Sequence, residues 1–330
     1  MYNFVASPIK FIDSSNSELM ERLVKEDHPF RVLNNSLKLD KLAREYRHLY
    51  AHDGAKGIAI EKAFRCLVIQ WLEDYSDREM ERALQENVAV KWFCGFEMTD
   101  KTPDHSFFGQ FRKRFGTTNL GQIFQKINDN LRDKGLISDS FHFIDGSGIV
   151  TKTALWEERD KALEAGEEKL NNLNVKKYAS DSQARYGCKG KNKFWYGYKR
   201  HHCVDMKQGM VTKVAVTPAN VNEDEAFKHI APRQGLAYMD KQYATQEVER
   251  QAKLKGCQAR AIKKNNQKNK NHDFDHYVSR MRMPYEGTFS KLNKRARYRT
   301  LVKVQFQGFA QALAHNLKRL ISVETSLATT

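Results

Sequence analysis

The hydrophobic pattern of this chain changes its period near residue 137, and this change limits the folds that the chain can adopt. Upstream, residues 58–72 (IAIEKAFRCLVIQWL) repeat apolar side chains at intervals of three and four, which predicts an amphipathic helix. Downstream, the apolar runs are short and rich in aromatic and β-branched residues, which is typical of strands. We therefore expect an all-helical N-terminal domain over residues 1–136 and an α/β domain over residues 137–330.

Two further signals concern the helices of the first domain. Ser76 and Glu79 have the spacing of a capping box at a helix start. After Pro103, the segment SFFGQFRKRFG places phenylalanines beside a basic group whose Arg112 and Arg114 are candidate DNA contacts. Several short helices with a basic end are typical of a helix-turn-helix-like DNA-binding unit, and equally of a bundle that serves packing or dimerisation.

The second domain contains five strand-like segments with helical segments between them. Two of these segments flank a Lys-Gln-Gly turn and predict a β-hairpin. Alternating strands and helices predict an α/β fold with a mixed five-stranded sheet flanked by helices. The predicted strands are residues 141–150, 194–206, 209–220, 235–240 and 257–264, and the closing helices are residues 284–295 and 302–321.

Residues 152–192 form an unusually long connection between the first two predicted strands. Connections in compact domains are typically about 4–6 residues long. The stretch TALWEERDKALEAGEEKLNNL within this connection is highly charged and helix-forming. We interpret residues 152–192 as an insertion that covers the site or contacts the substrate, and a disordered linker is the alternative.

Positive charge is strong in this chain and unevenly distributed. Lys and Arg number 56 against 40 Asp and Glu, a formal net charge of +16. Residues 241–299 alone hold sixteen basic residues against five acidic ones. Such an excess suits a polyanionic partner, because each neutralised phosphate releases counterions. A basic solvated surface is the alternative, but the concentration of charge in one stretch favours a nucleic-acid surface.

Other features of the composition exclude several classes of protein. No run approaches the roughly 18 apolar residues of a membrane span, and the N-terminal segment lacks the basic leader and apolar core of a signal peptide. The five cysteines are scattered without a CxxC pair, which argues against a zinc ribbon or a disulfide framework. We therefore expect a protein of a reducing, cytoplasmic compartment.

Two of the apolar runs end in aspartate, HFID at Asp145 and AYMD at Asp240. In an open α/β sheet, ligands bind beyond the carboxyl ends of the strands, and two close carboxylates repel unless a cation lies between them. Mg²⁺ suits such oxygen ligands. Glu286, within the basic segment RMRMPYEGTFSKLNKR, is a candidate third acid. Each acid alone is more often a turn or surface residue, but the three together in a basic chain favour a functional site.

Histidine and cysteine side chains offer a weaker alternative, a zinc site. The candidate ligands are His142, His201, His202 and Cys203. Successive side chains on a strand point to opposite faces, so His201 and His202 cannot both contact one ion. The sequence therefore disfavours a zinc site.

The order of motifs resembles that of the bacterial insertion-sequence transposases of the DDE type, specifically the IS-five-like group. The similarity covers most of the chain. Its motifs are FIDGSGI, YGYKRHHCVD, VTKVAVTPANVNEDEAF, YMDKQYATQE, RMRMPYEGTFSKLNKRARYR and FAQALAHNLKRL. The resemblance implies a ribonuclease-H-like catalytic domain behind the helical N-terminal domain.

The resemblance also implies which residues form the site. The catalytic and metal-binding triad falls on Asp145, Asp240 and Glu286, with Asp145 as ligand to both of two Mg²⁺ ions and Mn²⁺ able to substitute. Arg282 falls on the family's arginine four residues before the glutamate and is expected to contact phosphate. The further residues taken as DNA contacts are Lys199, Lys241, Lys291, Lys294, Arg295 and Arg297.

The signature around the glutamate is incomplete in this chain. In related transposases a tyrosine lies three residues before the arginine and a lysine seven residues after the glutamate. This chain has Ser279 and Asn293 at those positions. Lys291 or Lys294 is the candidate substitute for the missing lysine as a phosphate contact.

Proline adds a second departure, because Pro284 lies between Arg282 and Glu286. Proline is favoured in the first turn of a helix and breaks a helix interior. We therefore expect Glu286 near a helix start, where Arg282 does not have to share its helical face.

The resemblance implies a reaction in two steps. Water attacks the phosphodiester at the end of a mobile element, and the freed 3′-hydroxyl then attacks target DNA. The expected partners are double-stranded DNA, both terminal inverted repeats and target, and a second copy of the chain in a homodimer on DNA, with no membrane. The expected location is the bacterial cytoplasm, at the nucleoid. The alternatives are a nuclease of the same fold without strand transfer and a catalytically silent DNA-binding derivative.

Overall fold

The computed structural model describes residues 16–50, 57–153, 155–190, 192–265, 267, 270–287 and 292–329. The chain divides into two compact units, Met1–Lys113 and Arg114–Thr330. No helix within the described ranges is long and apolar enough to cross a membrane.

The described part of the first unit is helical, as predicted. Ser76 caps α5 through the predicted capping box, in which its side chain accepts from the N–H of Glu79 and the Glu79 carboxylate accepts in return. Arg65 of α4 ties the bundle together, since it contacts Asp40 at 2.6 Å and donates to the carbonyl of Phe93 at 2.8 Å. The helices are α1 (Asn16–Leu23), α2 (Pro29–Ser36), α3 (Leu39–Arg44), α4 (Ile60–Leu72), α5 (Asp77–Glu86) and α6 (Val88–Phe93), with a 3₁₀ turn at Arg47–Leu49.

The long helix α7 (His105–Asp133) connects the two units and is kinked at Gly116, whose φ is 75°. Beyond the kink its buried side chains belong to the second unit, where Asn128 donates to the carbonyls of Val211 and Thr212 at 3.2 Å. The boundary between the two units therefore lies inside α7, ahead of residue 136. A unit is defined by the residues that pack together, so a single helix can extend from one unit into the next. The assignment of functions to the two domains stays a prediction.

The second unit is built on one mixed sheet, and its ribonuclease-H-like α/β class is the predicted one. The five predicted strands are present, and a sixth short strand, β2, comes from the insertion. In the sheet β3 lies between β1 and both β2 and β4, all antiparallel, while β1, β5 and β6 run parallel in that order. The strands are β1 (Phe141–Val150), β2 (Arg185–Lys189), β3 (Lys193–Asp205), β4 (Met210–Pro218), β5 (Leu236–Met239) and β6 (Gln258–Ala261).

Helices cover both faces of this sheet. On one face, α10 (Glu223–Ile230) and α11 (Gln246–Lys255) bury an apolar cluster that includes Ile144 and Phe227. On the other face lies α12 (His272–Glu286), whose Tyr285 ring lies 6.3 Å from that of Phe143. The closing helix α13 (Leu301–Thr329) packs across β4 and confirms the helix predicted over residues 302–321.

The insertion is a packed part of the second unit in its described residues, which argues against a disordered linker. It contains α8 (Leu155–Glu164), α9 (Val175–Tyr178) and β2. Ala162 and Val175 are fully buried in an apolar cluster with Ile149 of β1. The prediction of a helix-forming insertion is therefore confirmed, and its contact with substrate stays a prediction.

The helix predicted over residues 284–295 is wrong in position. Helix α12 ends at Glu286, and residues 288–291 lie outside the described part of the chain. Farther along, Val150 of β1 donates to the carbonyl of Lys294 and accepts from the N–H of Ala296, both at 2.8 Å. Residues 294–296 are thus extended, because they find backbone partners at the end of β1 rather than within a helix.

We expect Asn316→Ala to lower the free energy of unfolding by about 3 kcal/mol, because it leaves buried polar groups without partners. Asn316 of α13 accepts from the N–H of Val211 at 2.7 Å and donates to Asn128 at 2.9 Å, and both asparagines are fully buried. Urea denaturation measures the change. The control Asn130→Ala, at an exposed position of α7, should change stability by less than about 0.5 kcal/mol. Equal effects of the two substitutions would contradict the assigned role.

Candidate active site

The pairing of β1 with β5 places two of the predicted acids side by side. The strands are parallel, and their last paired residues are Ile144 and Met239. Asp145 and Asp240 each follow directly, so both stand at the carboxyl edge of the sheet. Aligned residues on parallel neighbours face the same side, and here that side is the one covered by α12. The adjacent parallel strands expected from the sequence are confirmed.

Asp145 is a strongly desolvated carboxylate. Burial raises the pKa of Asp145, while the N–H of Gly146, which donates to its Oδ1 at 2.9 Å, and the charge of Arg282 lower that pKa. The charge of Asp240 raises the pKa of Asp145 further. Asp145 is therefore a group that a nearby cation stabilises, which is what a metal ligand at this position requires.

Arg282 lies between the acids and is almost fully buried, with 8% of its side chain exposed. Its guanidinium nitrogens lie 3.9 Å from Oδ1 of Asp240 and 3.8 Å from Oε1 of Glu286. The guanidinium also lies over the ring of Phe143 at 5.6 Å. Arg282 thus joins the strand-end acids to the helix that carries Glu286.

The expectation for Glu286 is wrong in one respect. Glu286 is the last residue of α12 rather than near a helix start, and it contacts Arg282 one helical turn earlier. Pro284 lies inside the last turn. Pro284 removes one backbone hydrogen bond from this turn, and the helix nevertheless continues to Glu286.

The structure also contains a compact group of potential metal ligands at the beginning of β1. Within the described part of the chain, only Asp139, His142 and Asp205 bring three ligand atoms within 4.8 Å of one another. These groups have partners already, since Arg132 pairs with Asp139 at 2.5 Å and Asp205 accepts from the N–H of Asp139 at 2.8 Å. These residues therefore stabilise the turn before β1, and they are separate from the strand-end acids.

The zinc alternative gains no support from the described residues. His142 directs its Nδ1 towards Cys203 Sγ at 3.6 Å, while its Nε2 lies 3.1 Å from the carbonyl of Gln234. His201 and His202 are neighbours on β3 and point to opposite faces of the sheet. All five cysteines of the chain are free.

Several of the predicted DNA contacts in the second unit lie near the carboxyl edge of the sheet. Lys241 is exposed directly after Asp240, and Lys294 and Arg295 are exposed where the chain joins the end of β1. Lys199 donates to the carbonyl of Val221 at 3.0 Å. Arg297 is half-buried and Arg114 is exposed, whereas Lys291 lies outside the described residues.

The charge of Arg112, another predicted DNA contact, has a partner inside the first unit. It contacts Asp77 at 2.6 Å with 11% of its side chain exposed, and it donates to Gln70 at 3.1 Å. This geometry ties α7 to α5, and the role of Arg112 in DNA binding stays a prediction.

The sequence analysis missed two residues near the acids. Lys189 of β2 comes from the insertion, and its charge lowers the pKa values of Asp145 and Glu223. Glu223 is the first residue of α10, and its Oε1 lies against the backbone of Gly146. The sequence signal for Glu223 is its position shortly after the strand that ends at Pro218, in the segment VTPANVNEDEAF.

Comparison with known families agrees with this arrangement. A family model described as Transposase DDE domain matches residues 138–317, more than half of the chain. A second model, described as Transposase domain (DUF772), matches residues 18–114. The chain therefore belongs to the transposases with a DDE domain, and it is a metal-dependent enzyme that cuts and joins DNA. The predicted family is confirmed, while the IS-five-like group stays a prediction.

One solved structure is similar to this chain over most of its length. It is the piggyBac transposase synaptic complex with hairpin DNA, which has 10% sequence identity and a TM-score of 0.39. The alignment covers 96% of this chain and 77% of that one. A similarity of this size supports no statement about the site.

The donor set of the site fits the divalent cation that the family requires. Carboxylate oxygens are the ligands that Mg²⁺ and Mn²⁺ prefer, and Asp145 and Asp240 present them at one edge of the sheet. Buried polar atoms without a partner among the described residues lie beside them, on Ser147, His201 and Tyr243. Such atoms are rare in proteins unless a ligand or water completes them.

We expect Asp145→Asn to stabilise the metal-free protein at neutral pH. The folded-state pKa of Asp145 is raised, so the folded protein binds the proton more tightly than the unfolded chain. Stability therefore falls as the pH rises from the unfolded pKa through the folded pKa. Asparagine removes this loss, and its advantage should disappear below about pH 4, where the aspartate is neutral in both states. Melting temperatures in EDTA across this range measure the effect.

The control for this experiment is Glu168→Gln, at an exposed position of the insertion. It should leave the pH profile of the melting temperature unchanged. If the melting temperature of Asp145→Asn is below that of the wild type at neutral pH, burial of the charged Asp145 carboxylate does not destabilise the folded protein.

Proposed function

We propose that this transposase binds the terminal inverted repeats of an insertion sequence, cleaves the ends of the element and joins its 3′-hydroxyl to target DNA. The observation that carries the proposal is the in-register pairing of β1 and β5, which sets Asp145 beside Asp240. Glu286 completes the set from α12, where it is linked to Asp240 through Arg282. Three acids from three separate elements at one sheet edge support a catalytic site.

The acids are the groups that hold the cations in this proposal. Asp145, Asp240 and Glu286 would hold two Mg²⁺ ions, with Asp145 as the ligand common to both, Asp240 and Glu286 as ligands to one each, and Mn²⁺ able to substitute. When bound, two such ions activate the attacking oxygen and stabilise the leaving oxygen of a phosphodiester. The desolvation of Asp145 supports its role as the shared ligand, because a desolvated carboxylate gains from positive neighbours.

The reaction comprises two displacements at phosphorus. In the first, water attacks the phosphodiester at the element end, the P–O bond to the 3′-oxygen breaks, and the 3′-hydroxyl is released. In the second, that 3′-hydroxyl attacks a phosphodiester of target DNA, and the bond to the target's own 3′-oxygen breaks. The first step hydrolyses one phosphodiester, the second exchanges one phosphodiester for another, and neither forms a covalent bond to the protein.

Basic side chains of the chain position the DNA in this proposal. Arg282 contacts the phosphate next to the scissile bond, and Lys294 takes the place of the missing lysine at Asn293. Exposed Lys241 and Arg295 border the acids and support a DNA path along the carboxyl edge of the sheet. Lys199 and Arg297 extend that path, as Lys291 does by its position in the sequence.

The N-terminal domain recognises the inverted repeats in this proposal, with Arg112 and Arg114 as candidate contacts. Two copies of the chain act together as a homodimer, because an element has two ends that are cut and joined. DNA as the substrate places the protein in the bacterial cytoplasm, at the nucleoid.

We expect Asp145→Asn to reduce strand transfer by at least roughly a thousandfold, because it removes the shared ligand. The assay incubates the full-length protein with Mg²⁺, a donor duplex that carries the element end, and a target plasmid. Glu168→Gln is the control and should retain activity. Cleaved donor without joined product from the wild type would favour the nuclease alternative. Absence of both products would favour a silent DNA-binding derivative.

We expect the double variant Lys294→Ala, Arg295→Ala to weaken DNA binding and to reduce the salt dependence of the affinity. The logarithm of the binding constant falls linearly with the logarithm of the salt concentration, and each lost phosphate contact makes this slope shallower by about 0.9. Fluorescence polarisation with a generic duplex measures this sequence-independent part. The control Arg233→Ala removes an exposed charge ahead of β5, at the opposite end of the sheet, and should leave the slope unchanged. Equal slopes for both variants would contradict the proposed DNA path.

A further inference from the structure

We propose that Glu223 is a fourth carboxylate of the active site and supplies an oxygen ligand to a bound divalent cation. This inference rests on the proposed function, because it adds a ligand to the same cation site. The family triad leaves Glu223 without a role. Its assignment comes from its position against β1, its lack of other partners and the unsatisfied polar atoms around it.

The position of Glu223 is fixed by packing and by a glycine. Helix α10 begins at Glu223 and buries Phe227 and Ile230 against the sheet, which holds its first turn at the carboxyl edge. A Cβ atom added to Gly146 would lie only 3.2 Å from Oε1 of Glu223. Glycine therefore lets this carboxylate approach the β1 backbone one residue after Asp145.

The carboxylate of Glu223 has no hydrogen-bond or ion-pair partner among the described residues. Burial raises the pKa of Glu223, and so do the charges of Asp145 and Asp240, while the charge of Lys199 lowers that pKa. Lys199 is committed to the carbonyl of Val221. The charge of Lys189 also lowers the pKa of Glu223, but no ion pair forms between Glu223 and either lysine. Glu223 thus lies in the negative field of the other acids without a paired cation among the described residues, and a divalent ion would satisfy it.

Two fully buried polar atoms point to a ligand at the same place. His201 is completely buried. Its Nδ1 has no partner among the described residues and lies 3.3 Å from the position that a Cβ of residue 146 would take, beside Glu223. Its Nε2 contacts Thr217 at 2.9 Å. Burial lowers the pKa of His201 to about 3, so the ring is neutral at physiological pH.

The second buried atom is the hydroxyl of Tyr243. Tyr243 is 1% exposed and its hydroxyl has no partner among the described residues, and burial, followed by the charges of Glu223, Asp145 and Asp240, raises its pKa. A buried polar atom without a partner destabilises the folded protein. The water molecules of a hydrated cation at Glu223 would provide partners for both the hydroxyl and the imidazole, since Mg²⁺ usually keeps several waters.

The other acids of α10 have simpler roles. Asp224 accepts from the N–H of Glu225 at 3.0 Å, and the Glu225 carboxylate is exposed and accepts from Asn222 at 3.4 Å. All three acids of the first turn interact favourably with the helix dipole. Only Glu223 turns towards β1, which makes Glu225 a matched control on the same turn.

The test measures binding of Mn²⁺ alone to the full-length protein, by isothermal titration calorimetry and by electron paramagnetic resonance. Glu223→Gln should weaken Mn²⁺ binding by at least about tenfold, whereas Glu225→Gln should change it less than about twofold. Gly146→Ala should also weaken binding, because its methyl group displaces the Glu223 carboxylate while every acid is retained. Circular dichroism verifies that each variant is folded.

The outcomes separate this inference from the proposed function. If Asp145→Asn weakens Mn²⁺ binding but Glu223→Gln and Gly146→Ala do not, the fourth-ligand inference is overturned and the triad site stands. If Asp145→Asn leaves Mn²⁺ binding unchanged, or the wild type binds no Mn²⁺, both proposals are overturned. Weakened binding in all three variants, with normal binding in Glu225→Gln, supports both.

Discussion

The site depends on the parallel pairing of β1 with β5, because their register decides which side chains meet at the sheet edge. Ile144 opposite Met239 leaves Asp145 and Asp240 as the next pair. A slip by one residue would turn one aspartate to the opposite face, since side chains alternate along a strand. The apolar cluster beneath α10 and α11 opposes such a slip, because both Ile144 and Met239 are buried in it.

Electrostatic balance is the second constraint on the site. Asp145, Asp240 and Glu286 lie around one buried guanidinium, that of Arg282. A single positive charge does not neutralise three carboxylates, so the site retains a negative field within a chain of net charge +16. The surrounding basic surface suits DNA, and the acidic centre suits divalent cations. Different charged side chains thus serve the binding of DNA and the binding of divalent cations.

Much of the fold could be predicted from short-range patterns in the sequence. The capping box at Ser76, the hairpin of β3 and β4 and the helix of residues 58–72 are all present. Each of these features depends on residues that are close together in the chain, so the spacing of residue types is enough to predict it. The predicted helix over residues 284–295 is wrong, because α12 ends at Glu286. The prediction uses the preference of proline for a first helical turn, which contains no information about the packing of Tyr285 on Phe143.

The sequence by itself determined the family, the two strand-end aspartates as candidates and the basic character of the surface around them. Only the tertiary structure decided that Arg282 contacts both Asp240 and Glu286, and that Glu223 lies against Gly146. The physical reason is that motifs record neighbours along the chain, whereas these contacts join strands and helices far apart in sequence. Their geometry follows from register and helix packing, which exist only once the sheet has formed.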